Sequence, residues 1–208
     1  MRIYNNTGVV VTVAPAAMPV SLTEVKGYCK LDGSSEDDFL TMLIEAATQQ
    51  VESHIKRKII TQTLQAVYDY VPAANASYYS TNEYRNYPEF RTNKNCFFLP
   101  FPAIQSITSI ELYDTANVAS TYDASNYFLD TVNGRCVFNQ GAVVDADLRE
   151  CSAMVVTYVA GYATVPATVK MGVLEQVKQM YECRGVCDLC DAASNALAPY
   201  RLFDTLGY

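Results

Sequence analysis

The sequence predicts an α+β fold in which N- and C-terminal helices form a small helical bundle with an inserted antiparallel β element. Three observations predict it. Paired helix signals run from Pro19 to Lys58. The next hundred residues break into short β-branched and aromatic runs separated by Pro, Gly and Asn. An apolar stripe at helical spacing then returns after Pro166. The corresponding division is an extended N-terminal arm at 1–19, a helical body from 20–60 and 163–199, an inserted β element at 61–162, and a tail at 200–208.

The arm carries Gly8-Val9-Val10-Val11-Thr12-Val13, too short and too interrupted by Asn5 and Asn6 to read as a secretion signal. Ser21 caps the first helix, with Glu24 three residues on to close a capping box. Val20 and Val25 stand at hydrophobic-staple positions, and Gly33 supplies the stop. The second helix opens at Ser34 or Ser35, with Glu36, Asp37 and Asp38 in its first turn and Lys56, Arg57 and Lys58 in its last. Those charges complement the helix dipole. Phe39, Leu43, Ala47, Val51, Ile55 and Ile59, flanked by Leu40 and Ile44, make one broad apolar face on a strut of roughly 36 Å.

Thr61 to Tyr70 alternates as a strand, with Leu64, Ala66, Tyr68 and Tyr70 on one side. The following 71–95 stretch is long, polar and rich in Tyr and Asn. Tyr78, Tyr79, Tyr84 and Tyr87 make it either a solvent-facing excursion or a partner-contact loop. The prolines in Leu99-Pro100-Phe101-Pro102 mark Cys96–Ile104 as an edge or entry segment, and Ile107, Ile110 and Leu112 continue as a strand. A turn is expected over 114–121. Asn133-Gly134 joins Tyr127–Asp130 to Arg135–Phe138 as a hairpin, and Met154–Val159 is a further β-branched run.

Pro166 suits a first helical turn, and Val169, Val173, Leu174, Val177, Met180 and Tyr181 form the returning stripe until Gly185. A short helix follows over Asp191–Leu197, ended by Pro199. The simplest packing lays the C-terminal helix on the apolar face of the second.

Half of the 208 residues are hydrophobic and 18% are charged, the balance of a folded chain. A net charge of −7 argues against a protein that grips nucleic acid, and suits a surface past which DNA slides. Seven cysteines, an odd and scattered set, indicate reduced thiols. No stretch is apolar enough for a bilayer span. No Gly-rich phosphate loop is present, and the single histidine, His54, has no nucleophile motif beside it, so no catalytic residue or cofactor is assigned. Cys183, Cys187 and Cys190 have the chemistry for three zinc ligands. No second Cys pair matches them, and packing thiols at a helix junction account for them better.

The order of these pieces resembles the head–tail connector (adaptor, or head-completion) proteins of tailed bacteriophages. The carriers are the opening from Pro19-Val-Ser-Leu through the basic residues before Gln62-Thr63, and Leu99-Pro-Phe-Pro-Ala-Ile-Gln-Ser-Ile-Thr-Ser-Ile-Glu-Leu-Tyr-Asp114. They continue with Tyr127–Asp130, Val156-Thr-Tyr-Val-Ala-Gly-Tyr162 before Pro166, and Leu197-Ala-Pro-Tyr-Arg201. The length of 71–95 and the Cys183–Cys190 cluster depart from the pattern.

The resemblance implies a structural, non-enzymatic virion protein. It would form a ring, usually dodecameric, under the portal, extend the DNA channel without specific DNA binding, and link the capsid vertex to the tail. Implied partners are copies of itself, the portal protein, and a next neck or tail protein such as a stopper, tail terminator or tail tube. The implied location is the virion neck, after assembly in the host cytoplasm, with no membrane involved. By position, the portal-docking segment is Tyr200, Arg201, Leu202, Phe203, Leu206 and Tyr208. Other readings are a tail-side completion or receptor-contacting protein, for which the tyrosine-rich loop would be the working surface, and a cytosolic Cys-cluster metal-binding protein.

Overall fold

A computed structural model describes residues 8–69, 71, 96–139, 147–185 and 187–202. The chain divides into two compact units. One takes Pro15–Thr61 and the chain from Gly161 to the last described residue, Leu202. The other takes the described parts of Gln62–Ala160 together with a strand at Gly8–Val13. The fold is α+β, with helices in the first unit and antiparallel sheets in the second.

In the helical unit, α1 spans Leu22–Cys29. Its capping box is formed as the Ser-x-x-Glu spacing predicts: Glu24 N donates to Ser21 Oγ at 3.2 Å, and Ser21 N to Glu24 Oε2 at 2.6 Å. Val20 and Val25 are both buried. The helix ends earlier than its glycine suggests. Lys30 takes the left-handed conformation at φ 55°, and Leu31 N bonds back to Lys26 O, while Gly33 lies in the link beyond.

Helix α2 spans Asp37–Ile55, about 28 Å, with Glu36 rather than Ser34 or Ser35 at its start. Lys56 turns left-handed, so Lys56, Arg57 and Lys58 lie outside the helix instead of filling its last turn. The cause is Glu52. Its carboxylate takes the Ile59 N–H at 2.9 Å and the Lys58 ammonium at 2.7 Å, holding the chain past the helix end. Leu40, Leu43, Ile44, Ala47, Val51, Ile55 and Ile59 are buried, while Phe39 is half-buried beside Tyr181.

Pro166 sits one position before the first turn, as the cap of α3, Ala167–Cys183. Val169, Val173, Val177 and Met180 share one core with the buried face of α2 and with Ala193 and Leu197 of α4, Asp191–Leu197. At Gly172 α3 lies tight against α4, since a Cβ there would stand 2.8 Å from Leu197 Cγ.

The sheet unit contains β1 (Gly8–Val13), β2 (Gln62–Tyr68), β3 (Cys96–Phe98), β4 (Ile104–Tyr113), β5 (Ala119–Thr121), β6 (Tyr127–Asp130), β7 (Arg135–Phe138) and β8 (Met154–Ala160). One sheet has the order β1-β2-β8-β4-β5 and the other β3-β7-β6, with every pairing between strands antiparallel. Leu64 and Ala66 of β2 stand opposite Tyr158 and Val156 of β8. This period-2 set is buried with Ile110, Leu112, Phe97, Cys136 and Phe138 in a single core. Tyr158 is fully buried, and its hydroxyl donates to Pro100 O at 2.8 Å.

The Asn133-Gly134 hairpin forms, with Gly134 at φ 65° and Asp130 bonding Asn133 and Arg135 across it. The prolines do mark an edge: β3 pairs only with β7 among the described strands. The segment expected as a turn over 114–121 is half strand. Asp114 Oδ1 accepts from Ala116 N and Val118 N, and this tight turn lets Ala119–Thr121 return along β4 as β5. Of the segment expected as a terminal arm, Gly8–Val13 is a strand bound to β2, and residues 1–7 lie outside the described residues.

Candidate functional site

Residues 200–202 lie in the helical unit at the C-terminal end of α2, where helix carbonyls lack partners within the helix. The Leu202 N–H donates to Ile55 O at 3.1 Å, and Arg57 Nε donates to Tyr200 O at 2.8 Å. Pro199 lies in a 3₁₀ turn, Ala198–Tyr200, closed by Arg201 N on Ala198 O. The Tyr200 ring packs edge-on against Tyr162 at 6.4 Å between centroids. Tyr200 and Leu202 are half-buried and Arg201 is exposed. Phe203, Leu206 and Tyr208 lie outside the described residues, as do Tyr78, Tyr79, Tyr84 and Tyr87.

The same place gathers positive charge on an acidic protein. His54 is held below its usual imidazole value, first by burial and then by Arg201 and Lys56, while Arg57 spans to Tyr200. In the sequence His54 has no partner motif, and Arg57 stands only among the helix-end charges. Nothing local in the chain indicates that Arg57 and Arg201 share a site, because 144 positions of sequence separate them.

A second arrangement fixes the approach to this segment. Gln176, fully buried on α3, donates through Nε2 to Gln50 Oε1 at 2.8 Å and to Asp188 O at 3.3 Å. Its Oε1 accepts the Cys190 N–H at 2.9 Å. Gln50 Nε2 in turn donates to Cys187 O at 3.1 Å. The two amides thus hold the loop between α3 and α4, and the visible signal for them is a glutamine inside an apolar stripe.

Cys187 and Cys190 are half-buried beside the helical core, whereas Cys183 is exposed at the end of α3. Burial and the neighbouring Cys183 thiol push the Cys187 thiol up. Cys190 Sγ accepts the Ala193 N–H at the start of α4. Among the described residues no group of three or more His, Cys, Asp or Glu is placed to hold a metal ion, and no helix is long and apolar enough to cross a membrane.

Two compact units, one helical and one of antiparallel sheets, define the class, an α+β protein. The chain is similar to a component of the neck of an empty GTA particle computed with C6 symmetry, with 16% identity over 97% of this chain and 98% of the other, TM-score 0.71. A component of the virion of a native gene transfer agent particle gives 16% identity over 96% and 98%, TM-score 0.70. A component of the native GTA neck computed with C12 symmetry gives 14% over 95% and 98%, TM-score 0.59.

A family model described as head completion protein matches residues 20–182, and the chain belongs to that family. Its role is structural, at the head–tail junction of a phage-type virion. No individually curated protein matches the chain.

Proposed function

We propose that this protein is a head–tail adaptor that forms a ring, usually of twelve copies, beneath the portal of the capsid and within the virion neck. It extends the DNA channel and links the vertex to the next neck or tail protein, a stopper, tail terminator or tail tube. Subunits assemble from the host cytoplasm, with no catalytic step and no membrane. The observation that carries this reading is the family match across 20–182, strengthened by shared fold with components of necks computed with C6 and C12 symmetry. The net charge of −7 suits a channel wall that repels phosphate.

The portal contact is made by the segment that leaves the end of α2. The Tyr200 carbonyl, which accepts from the Arg57 side chain, and the Leu202 N–H, which donates to Ile55 O, anchor it, and Arg201 is presented outward. Phe203, Leu206 and Tyr208 complete a short apolar docking peptide. Tyr78, Tyr79, Tyr84 and Tyr87 supply a partner-contact surface from the 71–95 stretch.

Because the Leu202 amide is used internally, the informative truncation ends at Leu202. Removing Phe203–Tyr208 should leave a folded subunit that no longer binds purified portal rings; undiminished binding would overturn the docking assignment.

A further inference from the structure

The outermost strand of the five-stranded sheet is unusual for a stable edge. Among the described residues β1 pairs with β2 and with no other strand, and five of its six residues are exposed. Val10 and Val13 are each 58% exposed and Val11 44%. Alternate residues of an edge strand turn N–H and C=O groups outward, where they template pairing with another chain. Proteins blunt such edges with Lys, Pro or inward charge, and Gly8–Val13 has none of these. Its one irregularity, a register shift between Val11 and Val13, leaves Gly8–Val11 in regular pairing.

The opposite edge of that sheet is β5. Ala119, Ser120 and Thr121 are all exposed, and Val118 beside them is 61% exposed. Both edges are free of charge over long runs: residues 3–23 and 115–122 contain no Asp, Glu, Lys or Arg. Copies of a protein carrying a net −7 repel one another, so they approach most favourably through surfaces without charge. A ring requires a head-to-tail contact between two different patches of the same chain, which the two edges supply.

From these observations we infer that β1 of one copy pairs with β5 of the next, so that the sheet runs on from subunit to subunit. Four antiparallel pairings separate β1 from β5, so both run in the same sense. Copies related by rotation bring them together in parallel. The inference rests on the adaptor reading and names the seam of its ring.

The test uses assembled particles in which benzoylphenylalanine, a photo-crosslinking amino acid, replaces Val10. Irradiation followed by peptide mass spectrometry should join residue 10 to the 115–122 segment of another copy. Val10→Lys and Ala119→Lys, each on an exposed side chain, should both lose ring formation while keeping the wild-type far-UV spectrum. In the wild type, alternate amides of Gly8–Val13 should gain hydrogen-exchange protection on assembly.

Crosslinks from residue 10 that reach only other surfaces, or rings that form from either lysine variant, would overturn the inference. So would a discrete dimer crosslinked from residue 10 to residue 10, since β1 on β1 closes after two copies. These outcomes leave the adaptor reading standing. Wild-type protein absent from the neck of the particle would remove that reading and the inference with it.

Discussion

Gln176 and Gln50 meet across the helical core, Nε2 to Oε1 at 2.8 Å, and their other amide atoms hold the 187–190 loop. A buried amide is favourable only when its groups are paired, and leaving one unpaired costs about 1–3 kcal/mol. Here the pairing converts an apolar helix contact into one with a fixed register, because only one rotation of α3 presents Gln176 to both Gln50 and the Cys190 N–H.

Replacing Gln176 with Leu should therefore destabilise the protein by about 3 kcal/mol, despite the greater hydrophobicity of Leu. The Cys190 amide would lose its partner, and Gln50 would lose a donor. A denaturation midpoint series on Gln176→Leu, Gln50→Leu and the double variant checks this. The two single losses should exceed the double loss when summed, because both remove one network.

Two glycine-to-alanine changes should differ sharply. Gly161 has φ 116°, and a Cβ on it would lie 2.3 Å from the Ile60 carbonyl oxygen, a backbone atom with no room to yield. Gly161→Ala should cost on the order of 3 kcal/mol or more. At Gly172 the obstructing atoms belong to the Leu197 side chain, and alanine gains about 1 kcal/mol in helix propensity. Gly172→Ala should lose no more than about 2 kcal/mol. Thermal midpoints of the two variants, measured side by side, decide the order.

Acid should weaken the contact between the start of α2 and the end of α3. The Tyr181 hydroxyl and then the Arg184 guanidinium, 2.6 Å from Glu36 Oε1, hold the Glu36 carboxyl below its ordinary value of 4.5. In the unfolded chain that carboxyl returns to its ordinary value, so the unfolded state takes up its proton first as pH falls. The contribution is complete above 4.5 and is lost as pH drops through the lower folded value. Glu24, held down first by the Ser21 amide, and Asp130, held down first by the Asn133 side chain, add to the same acid limb. Stability measured from about pH 6 to 3 should fall less steeply in Glu36→Gln than in the wild type.

Thiol reactivity should sort by environment. Burial pushes the Cys136 thiol up to about 12, which leaves almost no thiolate to react at neutral pH. Iodoacetamide should modify the exposed Cys151 and Cys183 in the native protein, and Cys96 and Cys136 only after unfolding. Peptide mass spectrometry reads this directly. Native labelling of Cys136 as fast as Cys151 would contradict the buried assignment.

Local rules accounted for much of the fold. The Ser21–Glu24 box, the apolar face from Leu43 to Ile59, the Asn133-Gly134 hairpin and the Asp191–Leu197 helix each depend on residues a few positions apart. Their geometry follows from spacing. The helix ends did not follow. Lys30, Lys56 and Arg184 all take the left-handed conformation that the sequence leads one to expect at glycine. Side-chain partners decide two of those ends: Glu52, on the last turns of the same helix, receives the chain beyond Lys56, and Glu36, distant in sequence, pairs with Arg184.

The amino-acid sequence by itself determined the α+β class, the position of the β segment between two helical ones, and the order of motifs shared with head–tail connectors. All are properties of periodicity and short-range chemistry. Only the tertiary structure decided that 8–13 is a sheet edge, that Gln50 and Gln176 form one network, and that Tyr200 and Leu202 are bonded to Arg57 and Ile55. Each of these joins residues dozens of positions apart. A hydrogen-bond donor in a sequence does not specify its acceptor until the chain has packed.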